Sequence, residues 1–111
     1  MDFSKGLMAA STKPLILSVL KRGDSYGYQI IQNVKKLTGG TLKWSDGMVY
    51  PVLHRMEKEG FITSEWQGKP GEKLRKYYSI TERGKQELIV EKEQWNFLHG
   101  VLSKFWEQSL T

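Results

Sequence analysis

Cysteine is absent from this chain of 111 residues, proline occurs three times and histidine only twice. Without thiols there is no disulfide, no thiolate metal ligand and no cysteine nucleophile, which fits a reducing compartment. The two histidines, His54 and His99, stand far apart and lack metal-ligand spacing. Neither a Gly-rich phosphate loop ahead of a helix nor a nucleophile elbow is present. Long apolar runs are missing too, since nothing approaches the roughly 20 apolar residues of a membrane helix. The opening Met1-Asp2-Phe3-Ser4-Lys5 does not have the pattern of a secretory signal. The expectation is a cytoplasmic protein of one small folding unit, with no membrane association, metal, cofactor or enzymatic activity.

What the chain does have is positive charge, 17 Lys plus Arg against 12 Asp plus Glu for a net +5, and an aromatic content of 12%. The charge is unevenly placed: residues 1–43 carry +5, residues 44–79 carry +1 and residues 80–111 carry −1. Such a split predicts that the first two thirds meet a polyanion while the last third serves another purpose.

Periodicity then orders the elements. Leu15, Ile16, Val19 and Leu20 recur at helical spacing from Pro14 to Arg22, and Gly23 is the stop. Ser25 can cap a second helix with Tyr26, Ile30, Val34 and Leu37 on one stripe, ended by Gly39-Gly40. Ser45 caps a third helix reaching Glu59, with Val49, Leu53 and Met56 turned inward and Gly60 as its end. Pro51 falls in the second turn of that helix, where its missing N–H and its ring are expected to distort the backbone.

Alternation from Phe61 to Gln67, turn chemistry at Gly68-Lys69-Pro70-Gly71 and a second run from Arg75 to Ile80 predict a hairpin. A hairpin alone is marginal in water, so Phe61, Ile62, Tyr78 and Ile80 should pack on the helices. From Thr81 onward the pattern is helical. The expected fold class is mainly α with a small β-hairpin. It comprises a winged helix-turn-helix over residues 1–80 and a long C-terminal dimerisation helix over residues 81–111.

Four blocks stand out within this order. Ser25-Tyr26-Gly27-Tyr28-Gln29-Ile30 opens the second helix, and Gly47-Met48-Val49-Tyr50-Pro51-Val52-Leu53-His54-Arg55-Met56-Glu57 fills the third. Gly60-Phe61-Ile62 enters the hairpin, and Arg75-Lys76-Tyr77-Tyr78-Ser79-Ile80-Thr81-Glu82-Arg83-Gly84 leaves it. In these blocks, spread over roughly residues 14–88, the chain resembles the PadR-like transcriptional regulators. A Tyr-Pro pair inside the recognition helix is a mark of that family, so the resemblance accounts for Pro51.

The resemblance implies a sequence-specific regulator that binds duplex operator DNA as a homodimer and acts as a repressor. The DNA-facing candidates on the helices are Ser25, Tyr26, Ser45, Asp46, Met48, Tyr50, Pro51, His54 and Arg55. Side chains near the start of a recognition helix reach base edges. Lys69, Lys73 and Arg75 of the hairpin are the candidates for phosphate contacts, which position the protein without reading sequence.

In the last third, Leu88, Trp95, Leu98, Leu102 and Phe105 are spaced seven, three, four and three, a coiled-coil-like seam. Val101, Trp106 and Leu110 widen it. One helix with so much apolar surface predicts an interface, with Leu88, Trp95, Leu98, Leu102, Phe105 and Trp106 as dimerisation residues. Small members of the resembled family have a Trp in the position of Trp95 that lines a pore between protomers and stacks on flat aromatic drugs. That resemblance implies a planar aromatic ligand held by Leu7, Glu91, Trp95, Leu98 and His99, whose binding releases the DNA. A different class of function is a non-enzymatic protein-interaction module, whose basic face meets an acidic partner while the long helix pairs with another protein. Mobility shift of duplex DNA with tRNA as competitor separates the two.

Overall fold

A computed structural model describes residues 1–108, so Leu110, expected on the seam, lies outside the described residues. The elements are α1 (Lys5–Arg22), β1 (Ser25–Tyr26), α2 (Gly27–Leu37), α3 (Asp46–Lys58), β2 (Ile62–Gln67), β3 (Arg75–Ile80) and α4 (Glu82–Gln108). The predicted order of three helices, a hairpin and a long helix is present. A short strand, β1, is added to it.

The first helix starts well before Pro14, the residue expected to open it. Ser4 caps it by accepting a hydrogen bond from the Leu7 N–H at 3.1 Å. Phe3 and Met8 pack against the core, which holds the extra turns in place. Ile16, Leu17, Val19 and Leu20 are the buried apolar stripe of α1.

The second helix differs at both ends of its expected stripe. Ile30, Ile31 and Val34 are buried, whereas Leu37 is 64% exposed. Tyr26 belongs to β1 and occupies the N-cap position of α2. Ser25 therefore does not cap the helix. It pairs with Tyr78 across the sheet, and its hydroxyl donates to the Gly23 carbonyl at 3.4 Å. The cause is a long-range one, since β3 offers backbone partners that no local pattern announces.

The third helix buries Val49, Leu53 and Met56 as its spacing predicts. Its backbone continues through Pro51 without a break. The carbonyl that loses a donor there belongs to Gly47, which is exposed, so the missing hydrogen bond falls where water reaches. Glu59 closes the helix, and Gly60, at φ +85°, turns the chain in the left-handed region into β2.

The three strands form an antiparallel sheet in the order β1-β3-β2. The hairpin register sets Ile62 against Ile80, Ser64 against Tyr78 and Trp66 against Lys76. Phe61, Ile62 and Tyr78 are buried, and Ile80 packs on the same core. These residues dock the hairpin on α1, α2 and α3, the packing a lone hairpin needs.

The α4 helix leaves the sheet and lies along α1 for its first turns. Lys13 on α1 pairs with Glu87 at 2.9 Å and with Glu91 at 3.5 Å. Leu88 is 2% exposed within the single chain, so this first seam residue belongs to the chain's own core. Its expected role as a dimer contact is corrected on that ground. The C-terminal half of α4 extends past α1, giving a molecule 65 × 30 × 21 Å in extent.

Candidate nucleic-acid interface

With one stripe of α3 sunk in the core, the opposite stripe presents Tyr50, Pro51 and His54 to solvent. Tyr50 is placed by a close approach of two helices. A Cβ added at Gly27 would run into the Tyr50 phenol ring, so the bare backbone at the start of α2 is what lets that ring lie there. Ser45 and Asp46, at the start of α3, are exposed as well, and the Ser45 hydroxyl makes no cap hydrogen bond. Asp46 supplies an acidic group in the first turn, where the helix dipole favours it.

The β2–β3 hairpin rises beside this stripe and is tied to α3 by Glu57. That carboxylate accepts a hydrogen bond from the Ser64 hydroxyl and lies 3.9 Å from the Lys76 ammonium. Between hairpin and helix is a cleft of about 570 Å³, whose lining includes Tyr26, Tyr50, His54, Trp66, Lys73 and Arg75. The Arg75 guanidinium lies over the Tyr26 ring, 4.4 Å from its centroid, and Tyr26 meets Tyr77 edge-on at 5.3 Å. Stacking of this kind fixes the arginine's plane while leaving its N–H groups outward. Lys69, Lys73 and Arg75 are exposed and pair with no carboxylate among the described residues. Uncompensated cations on a protruding hairpin suit the phosphates of a nucleic acid.

Six of the twelve expected DNA residues line this side of the molecule, Tyr26, Tyr50, His54, Lys69, Lys73 and Arg75. Ser45, Asp46 and Pro51 are exposed on or at the start of α3. The other three face elsewhere. Ser25 is 5% exposed with its hydroxyl turned to the Gly23 carbonyl, so it supports the sheet instead of facing a ligand. Met48 is half-buried against the core. Arg55 leans to the other flank of α3, toward α1 and α4. Three cleft residues escaped the sequence reading: Tyr28, Trp66 and Leu74, exposed at 59%, 64% and 58%. The signal for Trp66 was present, since strand alternation puts it on the same face as Ile62.

On the far flank, α1, α3 and α4 enclose a second groove of about 570 Å³, with Lys13, Val52, Arg55, Glu91, Trp95 and Leu98 among its lining. The Trp95 indole N–H donates to Glu91 Oε2 at 3.0 Å, which fixes the ring one turn from its partner. Of the five expected ligand residues, Glu91, Trp95 and Leu98 come together here. Leu7 and His99 lie outside the groove. Leu7 is turned roughly a third of a turn from Lys13 around α1, and His99, one turn after Trp95, is exposed. Leu98, Phe105 and Trp106 are 49%, 66% and 60% exposed, and Phe97, which the seam spacing passes over, is 74% exposed. Leu102 is partly covered.

Among the described residues, no helix is long and apolar enough to cross a membrane. No group of three or more His, Asp or Glu side chains among them is placed to hold a metal ion.

Comparison with known proteins agrees with this architecture. Residues 16–89 match the model of the transcriptional regulator PadR-like family. The chain is 38% identical over 78 residues to the negative transcriptional regulator PadR of Bacillus subtilis, covering 68% of this chain and 42% of that protein. It is 35% identical over 80 residues to the transcriptional regulator YqjI of Escherichia coli, covering 72% of this chain and 37% of that one. The chain thus spans about two fifths of the length of these two relatives. The solved structure of a transcriptional regulator from Clostridium thermocellum superposes with a TM-score of 0.84 at 32% identity, covering 91% of this chain and 98% of that one. Its mostly helical build with a small antiparallel sheet and a long C-terminal helix is the winged-helix architecture of those structures. With the family model matching well over half of its length, the chain belongs to the PadR-like family of transcriptional regulators.

Proposed function

We propose that the protein is a cytoplasmic, sequence-specific DNA-binding regulator that represses transcription as a homodimer. The α3 helix enters the major groove with Tyr50, Pro51 and His54 toward the bases, and the hairpin lays Lys69, Lys73 and Arg75 on the flanking phosphates. One observation carries this reading: Tyr50 and His54 of α3 and the exposed cations Lys73 and Arg75 of the hairpin line one cleft. The Bacillus subtilis relative is named a negative regulator, which supports repression as the direction. Its test is the mobility shift of a duplex carrying the protein's own upstream region. Binding that survives excess tRNA supports the reading, and a shift abolished equally by tRNA sinks it.

The dimer forms through the C-terminal half of α4, where Leu98 and Phe105 are exposed apolar side chains. Trp95, with Glu91 and Leu98, takes a planar aromatic ligand in the groove beside α1, and ligand binding releases DNA. What supports a ligand is the size of the groove, within the range of small-molecule sites, and an aromatic wall beside a carboxylate. A planar cationic dye is expected to quench tryptophan emission and to lose its affinity in Trp95→Ala. Unaltered dye affinity in that variant removes Trp95 from the ligand's contacts.

A further inference from the structure

The inner face of the hairpin carries an apolar strip that runs past the core. Strand alternation puts Ile62, Ser64 and Trp66 on one side of β2, and the register sets them against Ile80, Tyr78 and Lys76 of β3. Toward the base of the hairpin the strip is covered, with Ile62 at 1% and Tyr78 at 4% exposure. Toward the tip it is bare: Trp66 is 64% exposed, and Leu74, next on the same face of the β3 arm, is 58% exposed.

Leu74 is not a loose end. A Cβ on Gly68 would come within 2.9 Å of the Leu74 Cδ2 and 3.3 Å of its Cα, so the leucine rests on bare backbone from the other arm. The hairpin is shaped to hold that side chain where it is. Trp66 and Leu74 line the cleft together with Tyr28 and Tyr50, beside the outer stripe of α3.

The surroundings of this apolar pair select its partner. Lys69, Lys73, Arg75 and Lys76 frame it, and Glu72 is the single carboxylate between residues 66 and 76. A second copy of the chain would bring the same cations to the contact and be repelled. The edge of a nucleic-acid duplex offers what the patch asks for, because apolar deoxyribose faces alternate with phosphates at a spacing of a few ångströms.

We propose that Trp66 and Leu74 make an apolar contact with deoxyribose at the edge of the duplex, adjoining the footprint of α3. The contact rests on the DNA-binding reading and adds to it a component of affinity that releases no counterions. Phosphate contacts weaken steeply with salt, whereas burial of apolar surface does not. The two contributions are therefore separable by salt alone.

The experiment measures binding of the full chain by fluorescence anisotropy, using a labelled duplex enriched from a randomised pool by the wild-type protein. The variants are Trp66→Ala, Leu74→Ala and Trp66→Phe, at several salt concentrations. Each alanine variant is expected to lose about tenfold in affinity at every salt concentration, with the slope of log K against log salt unchanged. Trp66→Phe should recover most of the loss. Wild-type affinity in both alanine variants overturns the contact, as does a loss that appears only as a change of slope. A change in sedimentation mass with DNA affinity intact assigns the patch to another copy of the chain and overturns it too. If the wild-type chain enriches no duplex at all, the DNA-binding reading itself fails. A wild type that binds while both alanine variants match it removes the apolar contact alone.

Discussion

The absence of a side chain at position 84 decides how the long helix leaves the hairpin. A Cβ on Gly84 would collide with the Phe61 carbonyl oxygen and crowd the Ile80 side chain. The Thr81 hydroxyl works at the same joint, donating to the Gly60 carbonyl at 2.7 Å and accepting from the Gly84 N–H at 3.0 Å. Hairpin entrance, hairpin exit and α4 are thereby fastened at one point. Gly84→Ala is expected to destabilise the fold by about 1–3 kcal/mol, read as a lower urea midpoint. An unchanged midpoint would mean that the joint relaxes freely. Position 84 was legible in the sequence because it ends a recognisable block. Tyr28 and Leu74 were not, because nothing local distinguishes an exposed cleft aromatic or a tip leucine from core residues at similar spacing. Arg55 failed differently: its helical position was read correctly, but its long side chain reaches the far flank, where it lines the groove that Glu59 and Glu91 also line.

Among elements, the contact between α1 and α4 is the one with a titratable signature. Burial pulls the Lys13 ammonium down, but the hydrogen bond and charge of Glu87, together with Glu91, outweigh it and hold Lys13 above its ordinary value. A lysine raised on folding contributes stability in full below its unfolded value, near ~10.4, and loses it as pH climbs through the folded value. Tyr78 acts in the same window. Burial, then the charges of Glu57 and Tyr50, raise its phenol, so the unfolded chain ionises first and gains above roughly pH 10. The melting temperature should therefore fall between about pH 10 and pH 12. Lys13→Met should flatten part of that fall while costing under about 1 kcal/mol at neutral pH, as half-exposed ion pairs do. An identical alkaline slope in wild type and variant would show that the pair adds nothing.

The C-terminal half of α4 is the second element with a sharp expectation. Among the described residues, nothing outside the adjoining helix backbone lies within 4 Å of where a Cβ of Gly100 would stand. Mid-helix glycine costs about 1 kcal/mol relative to alanine, and in the proposed dimer a partner helix crossing closely at that point would offset the cost. Gly100→Ala should then weaken the dimer by about tenfold despite the better helix former, measured by sedimentation equilibrium. A tighter or equal dimer would mean that no helix passes there. The existence and length of α4 were legible from its spacing. The start of α1 and the strand β1 were not, since one depends on packing of Phe3 and Met8 and the other on pairing with a strand distant in sequence.

For the whole molecule, the charge split read from composition acquires a geometry. The positive two thirds fold into the helices and hairpin around one cleft, while the slightly negative third extends as an arm. The 65 Å long axis comes from that arm, which spaces two copies of the cleft if α4 pairs with α4. Two recognition helices one duplex turn apart, about 34–36 Å, would make the preferred site a palindrome. In the proposed function the arm, the hairpin and α3 serve one task, with the hairpin's cations setting how strongly and α3 setting where.

The most direct test of that assignment is the salt dependence of duplex binding in wild type and in Lys73→Ala and Arg75→Ala. With about six phosphates neutralised per protomer, log K should fall with log salt at a slope near −5 per protomer, and each substitution should reduce that slope by about 0.9. A slope near zero, or one that neither substitution changes, would contradict the account of the hairpin and α3 as a DNA-binding surface.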